Sequence, residues 1–144
     1  MKTLGQFYRE KVLSYPYRET RYLPVVPDGV AVKIEQHLFG WLVIADRKKL
    51  PCRSEAEARF LKLCLELGMS EAEVPEDDRY LSEILPEFEQ LKARVDEIMN
   101  EYLATVLSRR VRAEVRQSVY SRLLWDEEEE EGKDSKKRRR RRSK

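Results

Sequence analysis

Hydrophobic and polar residues alternate over residues 30–35, which is typical of a β-strand with one buried face. A second segment, 41–45, is rich in residue types that favour strands. The four residues between these segments end in Gly40, and a turn sequence at 27–29 precedes them. The pattern predicts an antiparallel β-hairpin over residues 30–46.

Farther along the chain, apolar residues recur at steps of three and four, which predicts amphipathic helices. Ser54 opens a capping box and its apolar stripe continues until Gly68, so a helix is predicted over 54–67. A shorter stripe predicts a short helix over 76–85. The longest stripe predicts a helix over 86–124. A small domain cannot cover so long a helix, so we expect part of it to project or to pack on another chain.

The N-terminal residues 1–27 mix tyrosines with basic residues and prolines. Because the residue before a proline avoids the α conformation, Pro16 is expected to end any short helix before it. We therefore predict an N-terminal arm. Its tyrosines are predicted to anchor it on the body or on a protein partner, with stacking on nucleic-acid bases as the alternative. The tyrosines proposed for a partner are Tyr15, Tyr17 and Tyr22.

Together these elements predict an α+β fold that is mainly helical. A small antiparallel β-hairpin is followed by helices, with one long C-terminal helix and then a disordered, charged tail. The folded body is expected at residues 28–125. Charged residues make up 39% of the chain and the mean hydropathy is −0.71, which indicates a thin core under a strongly charged surface.

Residues 126–144 depart most from globular sequence, because an acidic block is followed at once by a basic block with no apolar residue. Burial there cannot offset an ordering entropy of about 1–2 kcal/mol per residue, so the tail is predicted to be disordered. The tail holds nine of the 29 Lys and Arg residues and seven of the 27 Asp and Glu residues. Residues 1–125 therefore carry 20 of each and are neutral, so any attraction to polyanions must be local.

The basic block of the tail is the strongest candidate for a binding site. A run of cations binds a phosphate backbone with release of counterions, and the absence of aromatic side chains indicates contact without sequence preference. The acidic block, Glu127 to Glu131, can compete with phosphate for the same cations. The same run also resembles a nuclear import signal, which is an address and not an activity. Its seven cations are Lys136, Lys137, Arg138, Arg139, Arg140, Arg141 and Arg142.

A second candidate is the C-terminal half of the predicted long helix, where an arginine stripe lies beside a valine stripe. Such a face either contacts a phosphate backbone or flanks a helix–helix contact. The arginines proposed for nucleic acid are Arg109, Arg112 and Arg116, and the valines proposed for a partner or self-association are Val111, Val115 and Val119.

A third candidate is enzymatic. Pro27-Asp28, followed by Asp46-Arg47-Lys48, matches the pattern Pro-Asp…(Asp/Glu)-x-Lys. At the level of this pattern the sequence resembles the PD-(D/E)xK nuclease superfamily. The resemblance implies that Asp28 and Asp46 bind a divalent metal and that Lys48 steadies the attacking water.

The predicted hairpin brings these residues near one another. If Gln36 pairs with Trp41, then Asp46 lies across from Ala31, which follows the 27–29 turn. The same residues can also be explained without a metal: Asp28 as a turn-forming residue, and residues 46–49 as a polar turn.

Other signals for chemistry are weak. Cys52 and Cys64 match no metal or redox spacing and are expected to be buried thiols in a reducing compartment. His37 is the only histidine, so triad or acid–base chemistry has no basis. No cofactor, metal or small-molecule substrate is predicted. No apolar run is long enough for a signal or a membrane span, so an intracellular location is expected: cytoplasmic, nucleoid or, in a eukaryotic or viral setting, nuclear.

The sequence therefore favours a small non-catalytic subunit or adaptor that docks through its arm and long helix and touches nucleic acid through its basic tail. A purely structural interaction subunit, with the tail as a targeting signal, is the first alternative. A metal-dependent nuclease is the second.

Overall fold

The computed structural model describes residues 3–27, 30–104 and 110–125. It confirms an α+β fold that is mainly helical, with a small antiparallel sheet followed by helices and a long C-terminal helix. The elements along the chain are α1 (Leu4–Phe7), a π-helix (Tyr8–Leu13), β1 (Arg18–Tyr22), β2 (Val32–His37), β3 (Gly40–Ala45), β4 (Lys48–Cys52), α2 (Glu55–Glu66), β5 (Glu71–Pro75), α3 (Asp78–Leu103) and α4 (110–125).

The predicted N-terminal arm is not a separate arm in the structure. Its described residues pack as part of the core. Thr3 and Gln6 form a capping box, in which each side chain accepts the backbone N–H of the other residue, and this fixes the start of α1. Phe7 is fully buried with its ring 5.1 Å from that of Phe88. The Tyr8 hydroxyl accepts the backbone N–H of Glu73 at 2.9 Å, which ties the π-helix to β5.

The strands form two antiparallel sheets. One has the order β2-β3-β4, and the predicted hairpin is present within it, with Gln36 opposite Trp41 as expected. The third strand, β4, was not predicted because its lysines are typical of a polar turn. The other sheet pairs β1 with β5, which lie 53 residues apart at the Thr20–Glu73 contact. Such a long-range pairing leaves no local signal in the sequence.

Helix α2 follows the prediction closely. The Ser54 hydroxyl accepts the Glu57 backbone N–H at 3.1 Å, and Gly68 adopts a φ of 76° just beyond the helix. One face of α2 packs on the three-stranded sheet and another on α3. Phe60 is fully buried, and its ring lies 5.4 Å from that of Phe88 at the centre of the core.

Helix α3 differs from the prediction at both ends. It begins after Asp77, whose carboxylate accepts two backbone N–H groups, and it includes residues 78–85 of the short helix predicted at 76–85. Pro86 therefore lies inside the helix and not in its first turn; buried neighbours such as Leu85 offset the missing N–H. The helix ends at Leu103.

The predicted continuous helix over 86–124 is instead two helices folded against each other. The Tyr120 hydroxyl donates to the Asp96 carboxylate, although the two residues are 24 positions apart. In one straight helix those positions would be about 36 Å apart. Helix α4 thus packs on the end of α3 where Met99 and Leu103 are buried, while Ile98 and Tyr102 on α3 are 63% and 68% exposed.

Candidate nucleic-acid interface

The strongest candidate from the sequence lies outside the described residues. This holds for the basic block from Lys136 to Arg142, for the acidic block from Glu127 to Glu131 and for Arg109. The expected disorder of the tail falls on the same residues. Their charges are given by the sequence alone.

The arginine and valine stripes of α4 face inward more than predicted. Val115 and Val119 pack against the hydrophobic core, which accounts for them without a partner, while Val111 is exposed. Arg112 is half-buried. The Arg116 guanidinium lies 3.3 Å from the Asn100 side-chain oxygen, in the cleft between α3 and α4.

This cleft has a volume of about 270 Å³ and holds a connected polar network. Asp96 is its centre: one carboxylate oxygen is 2.5 Å from Lys92 Nζ, and the other accepts the Tyr120 hydroxyl. Burial, followed by the bond to Asp96, raises the pKa of the Tyr120 hydroxyl. Glu66 approaches Lys92 at 3.9 Å, so two acids face Lys92 and Arg116 and the charges balance. The network joins α4 to α3 and offers no excess charge to a ligand.

The nuclease-like constellation is only partly brought together. Asp28 lies outside the described residues. Asp46, with a φ of 57°, forms the tight turn between β3 and β4, and Lys48 and Lys49 lie in strand β4 instead of the predicted loop. Across residues 3–27, 30–104 and 110–125, no group of three or more His, Cys, Asp or Glu side chains is placed to hold a metal ion.

The turn between β3 and β4 is part of a cluster of basic residues. The strand register places Lys33, Ile44 and Lys49 in one row across the three strands. Val32, Val43 and Ala45, which flank Lys33 and Ile44 on the opposite face, are buried on the side where α2 packs, so this row lies on the outer face of the sheet. Lys33 and Lys49 are exposed and separated by two strand spacings, roughly 10 Å.

Arg47 in the turn and Lys48 at the start of β4 lie at the same end of the sheet and are also exposed. We call Lys33, Arg47, Lys48 and Lys49 the basic sheet end. Within the part of the chain that the structure describes, none of these four side chains forms an ion pair. Asp46 is the acidic residue of the turn, so the group keeps an excess of positive charge.

The sequence contains only part of the signal for this cluster. Lys33 alternates with Val32 and Ile34, which already places it on the solvent face of β2. Placing Lys49 beside Lys33 requires a third strand. A polar segment such as 47–49 gives no signal for a strand.

The predicted tyrosine anchors have different environments. Tyr15 stacks on Tyr80 with ring centroids 4.3 Å apart, and its hydroxyl lies 3.4 Å from the Asp77 carboxylate. It therefore packs within the chain. Tyr17 and Tyr22 are 67% and 75% exposed and remain available to a partner.

Comparison of the chain with models of known protein families, with curated proteins and with solved structures gives no match. None of the helices in the described ranges combines the length and the apolar character that crossing a membrane requires.

Proposed function

We propose that this protein is a small non-catalytic subunit of an intracellular complex and that it contacts nucleic acid without sequence preference through its basic tail. The observation that carries the proposal is the run of seven cations, Lys136 to Arg142, on a chain whose remaining residues, 1–125, are electrically neutral. Neutralising phosphates with such a run releases condensed counterions, so the affinity falls steeply as salt rises.

The basic sheet end supports the same function from within the folded region. Lys33, Arg47, Lys48 and Lys49 are exposed at one end of a sheet whose other face is fixed on α2. Their charges are complementary to a phosphate backbone, and the sheet holds them in a fixed arrangement. We propose that they add a second, weaker contact to the one made by the tail.

An accessory subunit also needs a protein contact, and the hairpin between β2 and β3 offers one. Leu38 and Phe39 at its tip are 90% and 98% exposed. Exposed aromatic and aliphatic pairs of this kind are enriched where proteins dock. On the long helix α3, Ile98 and Tyr102 also remain exposed beside the part on which α4 packs.

Salt titration of binding to random-sequence DNA and RNA tests the proposal. The full chain is compared with a chain of equal length in which Lys136 to Arg142 are replaced by serine and glycine. We expect the slope of log affinity against log salt to become shallower by about 6 with duplex DNA. At low salt we expect the affinity to fall by at least a hundredfold.

A second variant, Lys33→Ser/Arg47→Ser/Lys48→Ser/Lys49→Ser, keeps the tail and tests the sheet. We expect a slope shallower by about 4, because four cations are removed. The matched control replaces four cations on other surfaces: Lys62, Arg79, Arg110 and Arg122. If the neutral-tail protein binds as tightly as the full chain, the tail is an address and the proposal is wrong.

A further inference from the structure

Strand β1 has one unpaired edge in the described structure, because it pairs with β5 alone. Two hydrogen bonds show which backbone groups face β5: Leu23 N–H donates to the Ser70 carbonyl at 2.8 Å, and Glu76 N–H donates to the Tyr17 carbonyl at 2.9 Å. In an antiparallel ladder the direction of these groups alternates along the strand. The N–H and C=O groups of Arg18, Thr20 and Tyr22 therefore point away from β5.

These three residues are solvent-exposed, so the outward edge is accessible. Pro75 lies opposite Arg18, a position where its missing N–H removes no bond to β1. Edge strands in monomeric proteins are commonly blocked by charged side chains, by proline, by a bulge or by short length. The strand from Arg18 to Tyr22 contains no proline and pairs in unbroken register with β5, and its charged residues Glu19 and Arg21 have opposite signs, so they can pair across a two-fold axis.

A second copy of the same strand satisfies this edge in one particular register. A two-fold axis requires antiparallel strands, and outward-facing residues must lie opposite outward-facing residues. Three registers then centre on the strand: one on Glu19, one on Thr20 and one on Arg21. The first places Glu19 opposite Glu19 and the third places Arg21 opposite Arg21, so both bring like charges together.

The register centred on Thr20 is the complementary one. It places each Glu19 opposite an Arg21 of the other copy and each Arg18 opposite a Tyr22, with Thr20 on the axis. Three residue pairs then exchange two backbone hydrogen bonds each. The glutamate–arginine positions are non-hydrogen-bonded pairs, in which side chains lie closest.

The existing contacts of these side chains leave room for this register. Glu19 lies 3.5 Å from Arg53 with a side chain that is still about half exposed, so it can also meet an arginine from another chain. That arginine, Arg21, is 19% exposed and already binds the Glu57 carboxylate and the Pro51 carbonyl, so the added contact uses the remaining N–H of its guanidinium. Two N–H groups of the Arg18 guanidinium are held by the Leu13 and Tyr15 carbonyls. These two bonds hold the Arg18 cation at the place where the exposed ring of Tyr22 from the other copy would pack.

We propose that two copies of this chain pair through the outer edge of β1, in the register centred on Thr20, to form a continuous four-stranded sheet of order β5-β1-β1-β5. The dimer carries two basic tails. If the proposed function also holds, both tails engage one nucleic acid molecule and binding gains from effective concentration. The pairing itself does not depend on nucleic acid.

Sedimentation equilibrium of the full chain, after nuclease treatment and in high salt, tests the dimer separately from tail binding. We expect a monomer–dimer equilibrium that strengthens with protein concentration. Thr20→Pro removes an outward N–H but no backbone bond to β5, so it should give a monomer with an unchanged circular dichroism spectrum. It also removes the bond that the Thr20 hydroxyl donates to the Glu73 carboxylate, which the control loses as well. The matched control Thr20→Val retains the N–H and should remain a dimer.

A second variant guards against a folding effect of proline. Glu19→Arg changes an exposed side chain and places arginine opposite Arg21, so dimer affinity should fall at least tenfold. Thr20→Cys tests the register, since only the residue on the axis meets its own copy. A short thiol cross-linker should link it far faster than Leu38→Cys at the exposed hairpin tip. A monomer at every concentration, a dimer that survives both β1 variants, or equal cross-linking at both sites would overturn the proposal.

Discussion

The Arg21 guanidinium lies 2.6 Å from the Glu57 carboxylate and joins strand β1 to the first turn of α2, across 36 positions of sequence. The Glu57 side chain is only 4% exposed. Its second oxygen accepts from Arg53 Nε at 3.1 Å. Both oxygens of the buried Glu57 carboxylate are therefore bound by guanidinium groups. Arg21 and Arg53 in turn depend on this carboxylate for a negative charge.

We expect Glu57→Gln to lower the free energy of unfolding by about 3 kcal/mol, because removing one charge of a buried pair leaves the other uncompensated. Urea unfolding measures the change. Glu55→Gln, in the exposed part of the same helical turn, is the matched control and should shift stability by less than about 0.5 kcal/mol. Equal effects of the two substitutions would contradict the role assigned to the Arg21–Glu57 pair.

Tyr120→Phe should loosen α4 from α3. The substitution removes the hydroxyl that donates to Asp96 and should lower stability by about 2 kcal/mol, since the acceptor is charged and half-buried. Hydrogen exchange should show faster opening of α4 than of α2. Tyr17→Phe, at an exposed tyrosine, serves as the control and should leave both quantities unchanged.

Replacing a glycine in a helix by alanine usually raises stability, but we expect Gly5→Ala to lower it. A Cβ at this position would come within 2.6 Å of the Leu123 carbonyl oxygen and 2.8 Å of that of Leu124, and backbone atoms cannot move aside as side chains do. We expect a loss of about 1–3 kcal/mol from this overpacking. Thermal unfolding measures it. An increase of about 1 kcal/mol, as helix propensity alone predicts, would show that α1 and α4 are not in this close contact.

Stability should fall in alkaline solution partly through Cys52. Burial, followed by the charge of Glu57, raises the pKa of its thiol from 9.0 to about 11. The unfolded chain then loses this proton first, so the contribution of Cys52 is complete below pH 9 and declines as the pH rises to about 11. Urea unfolding between pH 8 and 11 should show a shallower decline in Cys52→Ala. Parallel curves for the two proteins would mean that the thiol titrates normally.

The acidic block should act as an internal competitor of phosphate. Replacing Glu127 to Glu131 with glutamine removes five negative charges close to the basic run. We expect tighter binding to nucleic acid, by about tenfold at low salt, and a smaller gain as salt screens the competition. Fluorescence anisotropy measures both. Glutamine at Glu83, Glu87, Glu89, Glu97 and Glu101 removes the same charge from α3 and is the control.

Several local features of the fold were predictable because they depend on neighbours in sequence. The Ser54 cap, the φ of Gly68 and the pairing of Gln36 with Trp41 each follow from a few adjacent residues. Strand β4 was missed because alternation is lost where lysines occupy both faces at the sheet end. Helix α3 was divided at Pro86 because a proline inside a helix is rare unless tertiary packing compensates.

The candidate interface also has one part that the sequence determines and another that only the tertiary structure determines. The basic block is a property of composition, so the sequence alone determined it, together with the neutrality of residues 1–125. The row of Lys33 and Lys49, the outward edge of β1 and the fold-back of α4 depend on contacts between distant segments. A local pattern shows that a face is apolar or that a strand is present, but not which surface covers it. Only the tertiary structure decided that α4 packs on α3 and that, among the described residues, one edge of β1 is left unpaired, because the choice of which surfaces meet is a competition among all apolar surfaces of the chain.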